Sequence, residues 1–454
     1  MDKLSKQKLF SGGMWVTGGK GFSFLSRLAL NAFLARVLAP DDLGAYFLIF
    51  SLVNFFMLFA MLGMERSIVR IISRAMALGN FEHASGGVFR VIEIGSVTGV
   101  AVAILLYSGI GPFIAKTVFH SELISEAILY PAIWLVIFTL QRIVVESFRG
   151  FGDIRFATIF NGLIPNIISA SIIGLILLRS GHADITLVLK IIIASYGINL
   201  ILAAILLFRG ISLSSIRNIR HISHTEMLNT SWILYFLNII LYLMISGHLW
   251  MLAYYSSKES VAIYGAVSRL IVLITTNLVI ISKVILPMIG GLYAQEKFKE
   301  TEKVLRLTAT ISACTSLIVL IFIIVYKEKL LFILYGSNYV VGYKTLLILS
   351  SAHLLSALTG SPGILMIMAS KEKFQVLFAF ICTLLGLIIS AILVKPLDYF
   401  GISVGAALSI VLYNLILTVY CQKILHIKTF ISFRELKNLF RKIASRTINF
   451  RTTP

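Results

Sequence analysis

Charged side chains are scarce in this chain of 454 residues: Asp, Glu, Lys and Arg make up 13% of it, against 58% hydrophobic residues. A soluble domain carries about 25% charged and about 45–50% apolar residues. The length would allow about three soluble domains of about 150 residues, but this composition excludes them and is that of a membrane protein. Acids are scarcer than bases, 20 against 40, for a formal net charge of +20. In a soluble protein that excess would point to nucleic acid; here the question is where the bases sit relative to the bilayer. Cysteine is almost absent. Cys314, Cys382 and Cys421 lie in apolar runs with no paired spacing, so they read as small hydrophobes and not as a disulfide framework or a metal site. Enzyme motifs are missing as well: there is no P-loop and no clustered His/Cys site, and the only adjacent acids, Asp41-Asp42, sit in a tight turn. The chain therefore reads as a non-enzyme with no cofactor.

What is abundant is long apolar runs. A helix needs about 20 such residues to cross the hydrocarbon core, and twelve runs qualify: 10–36, 43–63, 87–108, 124–146, 155–178, 185–208, 230–254, 261–289, 306–326, 345–368, 374–395 and 401–424. The start, MDKLSKQK, leads into a long segment without a small-residue cleavage site, so the first span is expected to be retained. Odd-numbered gaps are short and poor in bases, whereas even-numbered gaps hold Arg66, Arg70 and Arg74, then Arg142, Arg149 and Arg155, then Arg209, Arg217 and Arg220, then Lys297, Lys299, Lys303 and Arg306. About 27 bases fall on this side and about 9 on the other, which predicts a cytoplasmic location for both termini. The expected organisation is an N-terminal six-helix lobe (1–208), a cytoplasmic linker (209–229), a C-terminal six-helix lobe (230–425) and a basic tail (426–454). Bases spaced around Phe433, Leu436, Leu439, Phe440 and Ile443 predict an amphipathic helix on the anionic inner leaflet for that tail.

An offset of 218 residues lays LAYYSSKESVAIY (252–264) on LARVLAPDDLGAY (34–46). Leu34-Ala35 meets Leu252-Ala253, Asp41 meets Glu259, Leu43 meets Val261, and Tyr46 meets Tyr264. Both stretches are the turn between the first two spans of a half. Six crossings per half insert both halves the same way up, so the axis relating them runs along the membrane normal.

Several segments carry a family likeness: LARVLAPDDLGAYFLIFSLVNFFMLFAMLGMERSIVR (34–70), RGFGDIRF (149–156), SVAIYGAVSRL (260–270), ILYGSNYVVGYKTLLIL (333–349), SPGILMIMASKEK (361–373) and DYFGISVGAALS (398–409). In order and spacing the chain resembles the polysaccharide-export branch of the multidrug/oligosaccharidyl-lipid/polysaccharide exporters, the Wzx-type flippases. The resemblance covers essentially the whole chain. It implies an all-α polytopic membrane protein of twelve transmembrane helices, in two six-helix lobes forming a V around a central cavity, working by alternating access. It also implies a substrate of undecaprenyl-pyrophosphate-linked oligosaccharide, with a polysaccharide polymerase and chain-length proteins as partners beside the phospholipid bilayer. Many members carry an acid late in the seventh helix, where this chain has Gly247-His248-Leu249.

Ionisable residues inside a membrane cost about 3 kcal/mol on insertion scales and usually face a cavity or a partner. In the first span Gly13, Thr17, Lys20, Arg27 and Asn31 fall on one face, within about 60° of Lys20. A pyrophosphate needs such groups, guanidinium as a forked donor and ammonium as a mobile charge; snorkelling to the headgroups is the alternative reading for Lys20. Arg269 and Lys283 repeat the theme in the eighth span, with snorkelling the alternative for Lys283; Arg66 and Arg70, which recur with Arg74 at i, i+4, i+8 on one face, are candidates to capture a headgroup at the inner mouth, with ordinary topology-setting charge the alternative. Tyr235, Asn238 and Tyr242 share one face of the seventh span as sugar-facing candidates. Glu93, Glu146 and His248 are the candidates for coupling to protons or sodium ions; pairing with Arg90, Arg142 or Arg149 is the plainer reading of the two acids, and a buried hydrogen bond that of the histidine. Asn161, Pro165 and Asn166 are expected to loosen the fifth span.

The expected function is a flippase carrying an anionic lipid-linked oligosaccharide to the outer leaflet of a bacterial cytoplasmic (inner) membrane. A cation-coupled multidrug antiporter should carry a lumen carboxylate, where the first span is basic. A peptidoglycan-precursor flippase implies fourteen helices, and a non-transporting scaffold leaves the intramembrane bases without a purpose.

Overall fold

Hydrocarbon offers no partner to a backbone N–H or C=O, so long apolar runs satisfy themselves as helices. The computed structural model describes residues 3–209, 232–432 and 434, with the side chains of 3–17, 20, 277, 279–280, 283–284 and 287 outside the described set. The described residues are helical, without strands. The first half contains α1 (Lys3–Val37), α2 (Pro40–Met61), α3 (Met64–Ala77), α4 (Phe81–Leu105), α5 (Leu129–Gly150), α6 (Ile154–Thr158), α7 (Ile164–Arg179) and α8 (Ile185–Arg209). The second contains α9 (Trp232–Tyr255), α10 (Lys258–Leu270), α11 (Val272–Ala294), α12 (Phe298–Tyr335), α13 (Tyr343–Thr359), α14 (Pro362–Met368) and α15 (Glu372–Ile424).

Among the described residues ten segments are long and apolar enough to cross a membrane. One of them, α15, has 53 residues and breaks at Asp398 (φ 48°). At about 1.5 Å per residue it is about twice as long as a bilayer is thick and makes two crossings. With α1 every expected span has a helical counterpart. Among its described residues the protein is thus all-α, with the spans of a multi-pass membrane protein.

Several spans are interrupted where the apolar pattern showed continuity. The fifth passes from α6 through a π turn in which Asn161 (φ −81°, ψ 54°) and Gly162 (φ 100°) leave helical geometry. The eighth is two helices meeting at Ile271, and the tenth breaks at Gly360 (φ 77°) between α13 and α14. Between the second and third spans the expected basic loop is a helix, α3. Its buried face is Met64, Ser67, Ile68, Ile71, Ile72 and Ala75, and Arg66, Arg70 and Arg74 lie on the other side.

The helices pack as two compact units. The first holds α1–α8, α9 up to Tyr242 and again from Leu249, α10 up to Ala266, and Phe332–Tyr339. Within it the residues matched by the 218-residue offset have matching burial: Leu34 and Leu252 are inaccessible, as are Leu43 and Val261, and Tyr46 and Tyr264 are both buried. Gly44 of α2 packs on the Lys258 carbonyl of α10, and the Phe47 ring fills the space in front of Gly265. The second unit holds the rest. Its two arms of α15 approach closely at small residues, with Gly386 against Gly405 and Ser409, and Gly405 against Ser390, the small-residue contact typical of membrane helices. Past α15 the chain crosses α12 and α13 as an extended strap, Ser432 N donating to Thr310 Oγ1 (3.0 Å) and Ile431 N to the Leu358 carbonyl (3.1 Å). The linker beyond Arg209 and the proposed tail helix lie outside the described residues.

Candidate functional site

The end of α2 sets up the first polar feature. Leu62 and Gly63 both take left-handed backbone conformations (φ 44° and 75°) and turn the chain from α2 into α3. That turn delivers Glu65 and Arg66 to a cavity whose walls include Met57 and Met61 of α2 and Tyr235 and Asn238 of α9. Three sequence candidates, Arg66, Tyr235 and Asn238, are thereby brought together although α3 and α9 lie far apart in the chain. The enclosed volume is about 40 Å³, room for a few waters at about 10–15 Å³ each.

Glu65 leads into an ionic network that is part-buried at Glu65, Arg142 and Arg149 and buried at Glu146. Its Oε1 accepts from Arg142 Nε at 2.9 Å, and Arg142 Nη1 donates to Asn161 Oδ1 at 2.8 Å. Glu146, almost wholly buried, is in close contact with Arg149 and lies 3.9 Å from Arg142. Two carboxylates and two guanidiniums neutralise one another here, as a low-dielectric site requires. Glu93, by contrast, is on an exposed face of α4, paired with Arg90 at 2.8 Å.

The break between α6 and α7 is also built from side chains. The Phe160 carbonyl accepts from Gln141 Nε2 (2.9 Å) and Asn199 Nδ2 (3.1 Å), amides supplied by α5 and α8. Gln141 Oε1, Asn199 Oδ1 and Asn166 Nδ2 are buried there without a hydrogen-bond partner among the described residues. Arg27 of α1 faces the same break, with its Nη2 3.9 Å from where a Cβ on Gly162 would stand. Asn31 is buried and donates to the Arg27 carbonyl at 2.8 Å, so its amide nitrogen serves its own helix. Sequence reasoning missed Glu65, Gln141 and Asn199; the available signal was an amide in the middle of each of two apolar spans.

The remaining candidates separate from this pocket. Tyr242 Oη donates to the Ser51 carbonyl (2.5 Å) and Trp250 Nε1 to Ser51 Oγ (2.7 Å), with the Phe55 ring packed against both aromatics. Tyr242 is therefore part of a clasp between α9 and α2, where the sequence placed it beside the sugars. His248 is inaccessible, its Nδ1 3.0 Å from Ser390 Oγ and its Nε2 3.4 Å from Ser409 Oγ. Arg269 is half-buried in the last turn of α10, and Arg70 is exposed on α3. The side chains of Lys20 and Lys283 lie outside the described residues.

Residues 9–293 match the family model described as "Polysaccharide biosynthesis protein". The chain belongs to that family. This polysaccharide biosynthesis family member shares its fold with solved membrane transporters at low identity. It is similar to a multidrug resistance MATE family transporter of the MOP superfamily in an inward-facing conformation, with TM-score 0.75 and 14% identity over 88% of this chain and 93% of the other. It is also similar to the lipid II flippase MurJ in an inward closed conformation, with TM-score 0.68 and 15% identity over 96% and 93%. A third similar structure is a multidrug resistance MATE family transporter of the MOP superfamily in an outward-facing conformation, with TM-score 0.64 and 16% identity over 91% and 93%. No curated protein matches the chain. Of these three solved structures, two are transporters and one is a flippase.

Proposed function

We propose that this family member is a flippase that moves undecaprenyl-pyrophosphate-linked oligosaccharide repeat units from the inner to the outer leaflet of the cytoplasmic membrane. The product feeds assembly of a surface polysaccharide such as O-antigen, capsule or exopolysaccharide. The observation that carries this reading is the pocket that places Arg66 beside Tyr235 and Asn238. A guanidinium with forked donors suits a pyrophosphate, and a phenol with an amide suits sugar hydroxyls. The carboxylate in the same wall, Glu65, is already bonded to Arg142, so the pocket favours an anion over a drug cation. With both termini cytoplasmic, Arg66, Arg70 and Arg74 stand at the inner mouth, where the positive-inside rule puts bases. Lys20, Arg27, Arg269 and Lys283 then neutralise the head on its way across, while the lipid tail stays in the bilayer. Glu93 and Glu146 balance neighbouring arginines, and His248 ties the α9 segment to α15. A polysaccharide polymerase and chain-length proteins are the partners that would receive the unit.

The test is to delete the gene, measure surface polysaccharide and complement with wild type or Arg66→Ala. Loss of polymer on deletion, restored by wild type and poorly by the variant, is the expected result. Intact polymer after deletion overturns the reading.

A further inference from the structure

The tenth span contains a break that its own helix cannot satisfy. An α-helical carbonyl accepts from the N–H four residues on, and four residues past Leu358 stands Pro362, which has no N–H. The missing donor comes from beyond the last span: Ile431 N donates to the Leu358 carbonyl at 3.1 Å. The same strap covers the turn itself. A Cβ on Gly360 would stand 2.5 Å from the Thr429 carbonyl oxygen and 2.8 Å from the Ala309 side chain, so the strap comes this close only where there is no side chain. Gly360 (φ 77°) and Ser361 (φ −121°, ψ 58°) both leave helical geometry, and the Ser361 hydroxyl is 2.9 Å from that of Ser282 on α11.

The strap is fastened to one face of α12. Lys428 N donates to Glu302 Oε2 (3.2 Å), the Arg306 guanidinium lies 5.5 Å from the centre of the Phe430 ring, and Ser432 N donates to Thr310 Oγ1 (3.0 Å). Glu302, Arg306 and Thr310 are spaced i, i+4, i+8 and so share a helix face. Four helical residues rise about 6 Å and two extended ones about 6.6 Å, so every second strap residue meets the next turn of α12. Ile427 and Thr429, which alternate with these, are buried. The fastening is nonetheless light. It consists of separate hydrogen bonds, each modest in net terms because water replaces it, and the Glu302–Arg306 pair beneath it is only part-buried. A short segment held in this way opens locally at lower cost than the helices it covers.

We infer that residues 427–432 form a latch on the tenth span. Seated, the strap holds the break between α13 and α14 in place. Released, it leaves the Leu358 carbonyl to water and lets α14 swing about Gly360 and Ser361. Hinges of this kind are a few residues at the end of an element that absorb a change in backbone angles. The chain beyond the last span is thereby a control element of the span that it crosses, whatever the protein carries.

The experiment places nitroxide labels at two exposed positions, Leu355→Cys on α13 and Ser370→Cys just past α14. The full-length protein also carries Cys314→Ala, since the other two cysteines are buried. Pulsed electron spin resonance in nanodiscs then reads the separation of the labels. Two separations are expected in this parent protein, one for each state of the latch. Ile431→Pro, which removes the N–H, should shift their ratio about fivefold toward the released state, the worth of one net hydrogen bond. Ile431→Ala keeps the N–H and should stay near the parent ratio. Truncation after Leu425 should leave the released separation alone, and it replaces Ile431→Pro should that variant not yield monodisperse protein. A single separation in the parent protein overturns the latch in favour of a fixed brace. A ratio unmoved by Ile431→Pro or by the truncation overturns it as well. The separations do not involve transport, so intact surface polymer after gene deletion would overturn the flippase reading and leave the latch standing.

Discussion

The ring of Phe47 occupies the space in which a side chain on Gly265 would begin. The two residues are counterparts under the 218-residue offset, as are Gly44 and Ala262, which also meet. Contact between a residue and its own counterpart is what a two-fold relation produces at its axis. Phe47 is fully buried and has no free space to turn into. Gly265→Ala should therefore destabilise the protein by about 1–3 kcal/mol through overpacking, read as a lower melting temperature in detergent. Phe47→Leu in the same chain should recover much of the loss, and additivity of the two changes would refute the contact.

The Glu65–Arg142 pair makes a different prediction. Arg142→Met leaves Glu65 and Glu146 with one guanidinium fewer in a low-dielectric setting. The pair is partly exposed, so the cost falls below the roughly 3–5 kcal/mol of breaking a fully buried pair, and the variant should accumulate less well and melt earlier. Glu65→Gln combined with Arg142→Met removes both charges of the pair and should be more stable than Arg142→Met alone, measured as yield of monodisperse protein.

Two tyrosines on one helix should behave oppositely. Tyr235 lines the cavity with Arg66, whereas Tyr242 donates to Ser51. Tyr235→Phe should impair polymer export with little change in melting temperature. Tyr242→Phe should lose about 1 kcal/mol of stability, one net hydrogen bond, and a double-mutant cycle with Trp250→Phe should show coupling through α2.

At Gly162 the expected effect combines backbone and space. Alanine in the left-handed region costs about 1–2 kcal/mol. Gly162→Ala should therefore fold with a modestly reduced melting temperature and complement a deletion strain poorly. Ordinary complementation would count against any functional use of the break.

Length and hydropathy made the twelve spans legible, because crossing hydrocarbon constrains composition directly. The interruptions were harder to see. Asn161, Pro165 and Asn166 marked the fifth span and Lys395-Pro396-Leu397-Asp398 the turn in α15, but nothing local marks the junction at Ile271. The helix α3 is too short and too basic to register as an apolar run, since Arg66, Arg70 and Arg74 are interleaved with its buried Ile68, Ile71 and Ile72. Candidate site residues stand out in the sequence by type, as bases and sugar-compatible groups where apolar residues are the norm. Their grouping does not. Glu65 and Arg142 stand 77 residues apart, and only packing tells which candidates share a pocket and which, like Tyr242, are spent on holding helices together.

One guanidinium ties a pocket wall to an interrupted helix. Arg142 on α5 holds Glu65 at the start of α3 with its Nε and Asn161 at the break with its Nη1. A displacement of Glu65 is therefore passed to the break through a single side chain, and the two places move as one piece.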